Sequence, residues 1–278
     1  MTHDGPSLEI DRLRAGYGKR EVFGNVSFRV DRGMLTALLG ANGCGKTTLL
    51  KVLCRDLPYE GSCRFEGEPL NAVPHRELAR RISYIPQRSG VGISLPALEV
   101  VMMGFNPTLG LLERPSAAQR QRALESLAAV GLAERAGEDY QRLSEGQKQL
   151  CVLARAMVED ARLLLMDEPE SSLDFRYRHR IMRLLSGLVS RSDRACLVTL
   201  HDPALALTYC KRLVLLKNGV CVAVLHPETD GLSRMEDALA EIYGPVRLIR
   251  AEGQFIMLPA SESEGGTHAT DDPYCSAR

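Results

Sequence analysis

Apolar and polar residues alternate at Leu8-Ile10 and again at Val26-Phe28-Val30, the period of a strand with one buried face. Asp31-Arg32-Gly33 supplies a turn, so residues 8–39 read as β structure. Met34–Leu39 is then almost wholly apolar, as expected of a strand covered on both faces of a parallel sheet. The same kind of run returns at Arg162–Met166 and Ala195–Leu200, and a shorter one at Ile82–Ile85. Helical stretches lie between these runs, and that alternation predicts an α/β fold with a parallel sheet at its centre.

Residues 88–160 break the alternation and read as helical. Ser116-Ala117-Ala118-Gln119 is a capping-box pattern, and Ala123, Leu124, Leu127 and Ala128 fall on one face of the helix it would start. Gly131 is placed to end that helix. A second capping box, Ser144 to Gln147, opens a helix with Leu150, Leu153, Ala154 and Met157 on one side. The expected organisation is one domain over residues 1–258, with a helical subdomain inserted at about 88–160. Residues 259–278, polar and acidic from Ser261 onward, are expected to form a disordered tail.

Composition adds bounds rather than direction. The chain has 278 residues, 45% of them apolar and 25% charged, enough for a sizeable core. Its 35 basic and 35 acidic residues balance, so no nucleic-acid partner is expected. The 8 cysteines form no Cys-x-x-Cys pair and no zinc-like spacing with His, and reduced thiols in a cytosolic compartment are expected. The N-terminus lacks the basic start and apolar stretch of a signal peptide, and no run approaches the roughly 18 apolar residues of a membrane helix. The chain is therefore expected to be soluble, and to work at a membrane only when a partner holds it there.

The chemistry concentrates at the ends of the apolar runs. Gly40, Asp167 and His201 each follow a strand candidate, where open α/β sheets bind ligands, so one pocket could collect residues about 160 positions apart. Gly40-Ala41-Asn42-Gly43-Cys44-Gly45-Lys46-Thr47 is a phosphate-binding loop. Its backbone N–H groups can face phosphate oxygens where glycines leave room, and the next helix points its positive end at the same anion. Lys46 would reach the β- and γ-phosphates of a nucleotide and Thr47 would bind Mg²⁺. Cys44, near a helix N-terminus, is expected to have a lowered thiol pKa and to be protected from alkylation by bound ATP. At the Asp167-Glu168 pair, one carboxylate can hold Mg²⁺ and its neighbour can orient or deprotonate an attacking water. Leu143-Ser144-Glu145-Gly146-Gln147 is a further helix N-terminus suited to an anion.

In this order, the phosphate loop, Gln87, Leu143–Gln147, Leu163–Pro169 and His201 resemble the motifs of an ATP-binding cassette (ABC) ATPase over residues 8–258. The resemblance implies a RecA-like P-loop NTPase core with an N-terminal antiparallel β subdomain, and ATP and Mg²⁺ as cofactors. It implies a catalytic set of Glu168 as base, His201 as the γ-phosphate switch, Gln87 and Lys46. Thr47, Gln87 and Asp167 would serve the metal. The nucleotide would meet Tyr17 at adenine and Asn42, Gly43, Cys44, Gly45, Lys46, Thr47 and Thr48 at the phosphates. Ser144, Gly146 and Gln147 would grip a nucleotide bound by a second cassette, with Asp174 at the same interface. Two residues depart from the usual pattern: Glu145 replaces a glycine of the signature, and Glu170 stands where Thr is common.

Leu95-x-x-Leu98-Glu99-Val100-Val101-x-x-Gly104, Leu205–Leu215 and Tyr243-Gly244-Pro245-Val246 are most similar to ATPases of iron-siderophore, haem and cobalamin importers. Phe105-Asn106-Pro107-Thr108 replaces the Arg-x-Pro-His usual there. The resemblance implies a homodimer on the cytoplasmic face of the inner membrane, bound to permease subunits and served indirectly by an extracytoplasmic substrate-binding protein. A groove near Gln87 and residues 88–105 would grip the permease. The rival expectation is a soluble ABC ATPase, such as one serving iron–sulfur assembly.

Overall fold

The computed structural model describes residues 6–87, 92, 94–110 and 112–260. The chain runs through β1 (Leu8–Tyr17), β2 (Arg20–Val30), β3 (Leu35–Gly40), α1 (Lys46–Leu53), β4 (Glu60–Phe65), β5 (Glu68–Pro69), α2 (His75–Arg81) and β6 (Ile82–Ile85). Then follow α3 (Ala97–Met102), α4 (Ala117–Ala129), α5 (Glu145–Val158), β7 (Leu163–Asp167), α6 (Phe175–Ser190), β8 (Ala195–Thr199) and α7 (Pro203–Tyr209). The last part is β9 (Arg212–Lys217), β10 (Val220–Leu225), α8 (Leu232–Tyr243), β11 (Val246–Ala251) and β12 (Gln254–Pro259).

The central sheet has the order β10-β9-β3-β8-β7-β6. Every pair from β9 to β6 is parallel, and only β10 runs antiparallel at the edge. Its residues are apolar in succession because both faces are covered. Ala37, Leu39, Met166 and Val198 face the cluster that includes the inserted helices, while Leu38, Leu165, Leu197 and Val214 face α1 and the β subdomain. The antiparallel sheet has the order β2-β1-β4-β5. The parallel core thus appears where the sequence pattern placed it, and the antiparallel β subdomain is the one the resemblance implies.

Capping sets the inserted helices. Ser116 Oγ accepts the Gln119 N–H at 3.3 Å, and Gln119 Oε1 accepts the Ser116 N–H at 2.8 Å. The chain leaves α4 through Gly131 at φ +75°, with the Leu132 N–H on Leu127 O at 2.7 Å. α3, α4 and α5, which lie between β6 and β7 in sequence, pack on one another. Beyond Leu200 the sequence reading assigned no element, yet the hairpins β9–β10 and β11–β12 form there. Asn218-Gly219 and Glu252-Gly253 make their turns with both residues at positive φ, as the tight hairpin turn requires. β12 extends to Pro259, and the Ala260 N–H reaches Pro245 O at 2.9 Å, so the fold continues past the expected boundary at 258. The remainder of the expected tail, residues 261–278, lies outside the described residues, as do residues 88–91 and 93 of the expected permease groove.

One carboxylate ties the β subdomain to the core. Glu66, just after β4, bonds to Arg81 of α2 at 2.5 Å, to Arg162 ahead of β7 at 3.1 Å, and to Arg32 ahead of β3. Burial works to raise the Glu66 pKa, but hydrogen bonds from Arg81, Arg162 and Arg32 and the Arg162 charge overcome it and hold it below the usual value. A depressed folded pKa stabilises at pH above the unfolded value of 4.5, and that contribution is lost as pH falls through the folded pKa. Glu66→Gln is expected to destabilise the protein by about 3 kcal/mol at neutral pH, because three guanidinium groups lose their counter-charge. Urea unfolding at neutral and acid pH would show it, with the difference from wild type shrinking on the acid side.

Candidate functional site

Strand register brings the predicted residues to one edge. Thr199 of β8 pairs with Asp167 of β7 and with Leu38 of β3, and Ile85 of β6 pairs with Met166. The loops that follow these residues therefore leave the sheet at one level, at the carboxyl ends of parallel strands.

The loop from Gly40 to Lys46 turns through Gly43 at φ +78° and Gly45 at φ +106°, and α1 begins with no side chain capping it. Its first-turn N–H groups are thus available to an anion. Val22, Asn42, Gly43, Gly45, Lys46, Thr47, Thr48 and Glu168 line an open cleft of about 140 Å³. Lys46 is 5% exposed, with Nζ donating to Gly40 O at 2.8 Å. Cys44 differs from expectation. Its thiol is buried, and desolvation pushes its pKa up although the Lys46 charge and backbone N–H groups pull the other way. It is therefore a poor target for alkylation.

Glu168 sits between the two residues that the sequence reading set beside it. Gln87 Nε2 donates to Glu168 Oε2 at 2.5 Å, and His201 Nε2 lies 2.6 Å from Glu168 Oε1. Glu168 holds φ +50°, a left-handed conformation unusual for a residue with a Cβ. Such strain costs on the order of 1–3 kcal/mol and persists where neighbouring bonds enforce it. The neighbour here is Thr199, which the sequence reading passed over. Its Oγ1 accepts the Glu168 N–H at 2.9 Å and donates to Asp167 Oδ1 at 2.7 Å. Thr199 is fully buried in an otherwise apolar strand, and a lone hydroxyl in such a run was the signal available.

The donors fit a hard divalent cation. The Thr47 hydroxyl, the Gln87 amide oxygen and the Asp167 carboxylate are all oxygen ligands, as Mg²⁺ prefers, and too few to enclose it without phosphate oxygens or water. Among the described residues no cluster of three or more His, Cys, Asp or Glu side chains forms a metal cage of its own.

Ser144, Gly146, Gln147, Tyr17 and Asp174 do not line the cleft. Ser144 and Gln147 form the capping box of α5, with Ser144 N–H on Gln147 Oε1 at 3.0 Å. A Cβ on Gly146 would come within 2.6 Å of the Tyr177 ring, so the glycine is needed for packing as well as for any anion. Glu145 is paired with Lys148 at 2.8 Å on the exposed side of the helix. Asp174 caps α6, accepting the Tyr177 N–H at 2.9 Å. Tyr17 ends β1, 48% exposed and open to stacking.

Residues 23–171 match the family described as ABC transporter. The chain belongs to the ABC transporter family. It is 32% identical over 251 residues to the hemin import ATP-binding protein HmuV of Vibrio anguillarum, a match spanning 88% of this chain and 94% of that protein. It is 36% identical over 213 residues to the zinc transport system ATP-binding protein TroB of Treponema pallidum, spanning 76% and 78%. A solved ATP-binding subunit of an ABC transporter superposes with a TM-score of 0.71 at 28% identity, covering 85% of this chain and 97% of that one. The cassette is thus an ATPase of that family, and its sheet and loops are those of a phosphate-loop NTPase.

Removing the Thr199 hydroxyl strips a bond from each carboxylate residue at once. Thr199→Val in this cassette is expected to lower ATP turnover about 100-fold, because a misplacement of about 1 Å at a reacting group has that effect. Steady-state ATPase assays on folded protein would check it; undiminished turnover would show the bridge to be dispensable.

Proposed function

We propose that this cassette is the ATP-hydrolysing subunit of an importer for a metal chelate of the siderophore, haem or cobalamin class. It would work as one of two cassettes on the cytoplasmic face of the membrane, bound to permease subunits. The observation that carries the catalytic part is Glu168 in the lining of the phosphate cleft, held by Gln87 and His201. The cargo class is supported by the similarity to a hemin import protein across 94% of its length. Similarity to a zinc transport protein shows that this likeness does not by itself select the cargo.

Phosphoryl transfer to water asks for positioning and charge stabilisation more than for covalent chemistry. Backbone N–H groups of the loop and the α1 N-terminus bind the phosphates, and Lys46 exchanges its bond to Gly40 O for the β- and γ-phosphates. Glu168 accepts the proton of the attacking water, while His201 and Gln87 fix the carboxylate. Thr47, Gln87 and Asp167 would hold Mg²⁺, which would supply positive charge against that developing on the phosphate oxygens. Tyr17 stacks on adenine.

The α5 N-terminus carries Ser144 and Gly146, neither of which lines the cleft of its own chain. That placement supports its use on the nucleotide of a second cassette, closing two ATP molecules between two chains, with Asp174 at the same seam. Among the described residues no helix is long and apolar enough to cross a membrane.

Glu168→Gln is expected to bind ATP yet hydrolyse it roughly 10²–10⁴-fold more slowly, the usual loss on removing a general base. Trapped with Mg-ATP, the tagged variant should bring a polytopic membrane protein out of gently solubilised membranes. Wild-type turnover would remove Glu168 from its role. Recovery with soluble partners alone would point instead to a non-transport ATPase.

A further inference from the structure

The turn after β7 carries a second carboxyl group that none of this chemistry uses. Glu170 is 3% exposed and lies three residues beyond Asp167, in a turn closed by the Ser171 N–H on Glu168 O at 3.0 Å. Its Oε1 accepts the backbone N–H of His201 at 2.9 Å. Its Oε2 is buried with no hydrogen-bond partner among the described residues. Enclosing a carboxyl with one oxygen unsatisfied is costly, so the bond made by the other oxygen needs a reason.

His201 supplies it. The imidazole is 43% exposed, so packing alone does not hold the ring at 2.6 Å from Glu168. The backbone beneath the ring is fixed on one side by the Leu200 N–H on Leu38 O at 3.2 Å, and at His201 itself by Glu170. The Asp202 carboxylate then starts α7 by accepting the Ala204 and Leu205 N–H groups. We propose that Glu170 is a positioning residue for ATP hydrolysis: by accepting the His201 N–H it sets the His201 ring against Glu168. This rests on the assignment of Glu168 and His201 under the proposed function.

Desolvation raises the Glu170 pKa, with the Glu168 charge adding to the rise, while the His201 and Glu170 N–H groups and the His201 charge pull it down. Threonine, common at this position in the family, has an oxygen two bonds closer to the backbone and would need another geometry to make the same contact.

The test measures kcat and KM for ATP in Glu170→Leu and Glu170→Gln, alone and combined with His201→Ala, on full-length protein whose folding is verified by thermal melting. Glu170→Leu keeps the bulk and removes the acceptor; kcat should fall about 10-fold with KM within about two-fold of wild type. Glu170→Gln keeps an acceptor and is expected within about two-fold of wild-type kcat. In the His201→Ala background, with residual rates read in single turnover, Glu170→Leu should cause no further loss. Wild-type kcat in Glu170→Leu while His201→Ala is impaired would overturn the positioning role alone. An equal loss in Glu170→Gln, or a full additional loss on top of His201→Ala, would do the same. Wild-type turnover in His201→Ala would overturn the underlying reading together with this one. Should Glu170→Leu fail to fold, Glu170→Thr removes the contact with less buried bulk and is judged by the same outcomes.

Discussion

The site depends on the parallel register of β7 beside β8. Because Asp167 and Thr199 are partners in that ladder, one hydroxyl can bond to Asp167 Oδ1 and to the Glu168 N–H together. That pair of bonds offsets the unfavourable backbone of Glu168 and directs its side chain toward Gln87 and His201. A slip of one residue would send Thr199 to the other face of the sheet and leave Asp167 without its donor. The geometry around Glu168 is thus a consequence of sheet pairing, enforced by the cores that cover both faces of the strands.

The two helix N-termini suited to anions are treated differently by the fold. α1 starts at a left-handed glycine without a side-chain cap, leaving its N–H groups to whatever occupies the cleft. α5 starts with a complete capping box, and the Tyr177 ring lies close over Gly146. Its first turn is rigid and already partly satisfied within the chain. That suits a surface offered to another molecule better than a pocket that closes around its own ligand.

The two glutamates that depart from the family pattern are resolved in different ways. Glu145 is exposed and neutralised by Lys148 one turn on. Glu170 is turned inward, where burial favours its neutral form and its free oxygen has no partner. Sequence alone could not distinguish these cases, since both are acidic residues within two positions of a motif serine or acid.

The sequence by itself determined the order of the strands and helices that carry chemistry, the two capping boxes and the identity of the loop, because those signals are local. Periodicity, a Ser-x-x-Gln pattern and glycine spacing are each contained in fewer than about ten residues. The hairpins after Leu200 were legible in part: Asn218-Gly219 between apolar runs is a turn signal, whereas charges interrupt the short strand Val246–Ala251. At Cys44 the proximity to a helix end is legible in sequence and the burial that raises its pKa is not. Only the tertiary structure decided that Thr199 bridges Asp167 and Glu168, that Glu170 holds His201, and that Tyr177 covers Gly146. Those contacts join residues 31 or 32 positions apart, across strands or between helices. Distances of that kind are set by register and packing of the whole sheet, which no local pattern encodes.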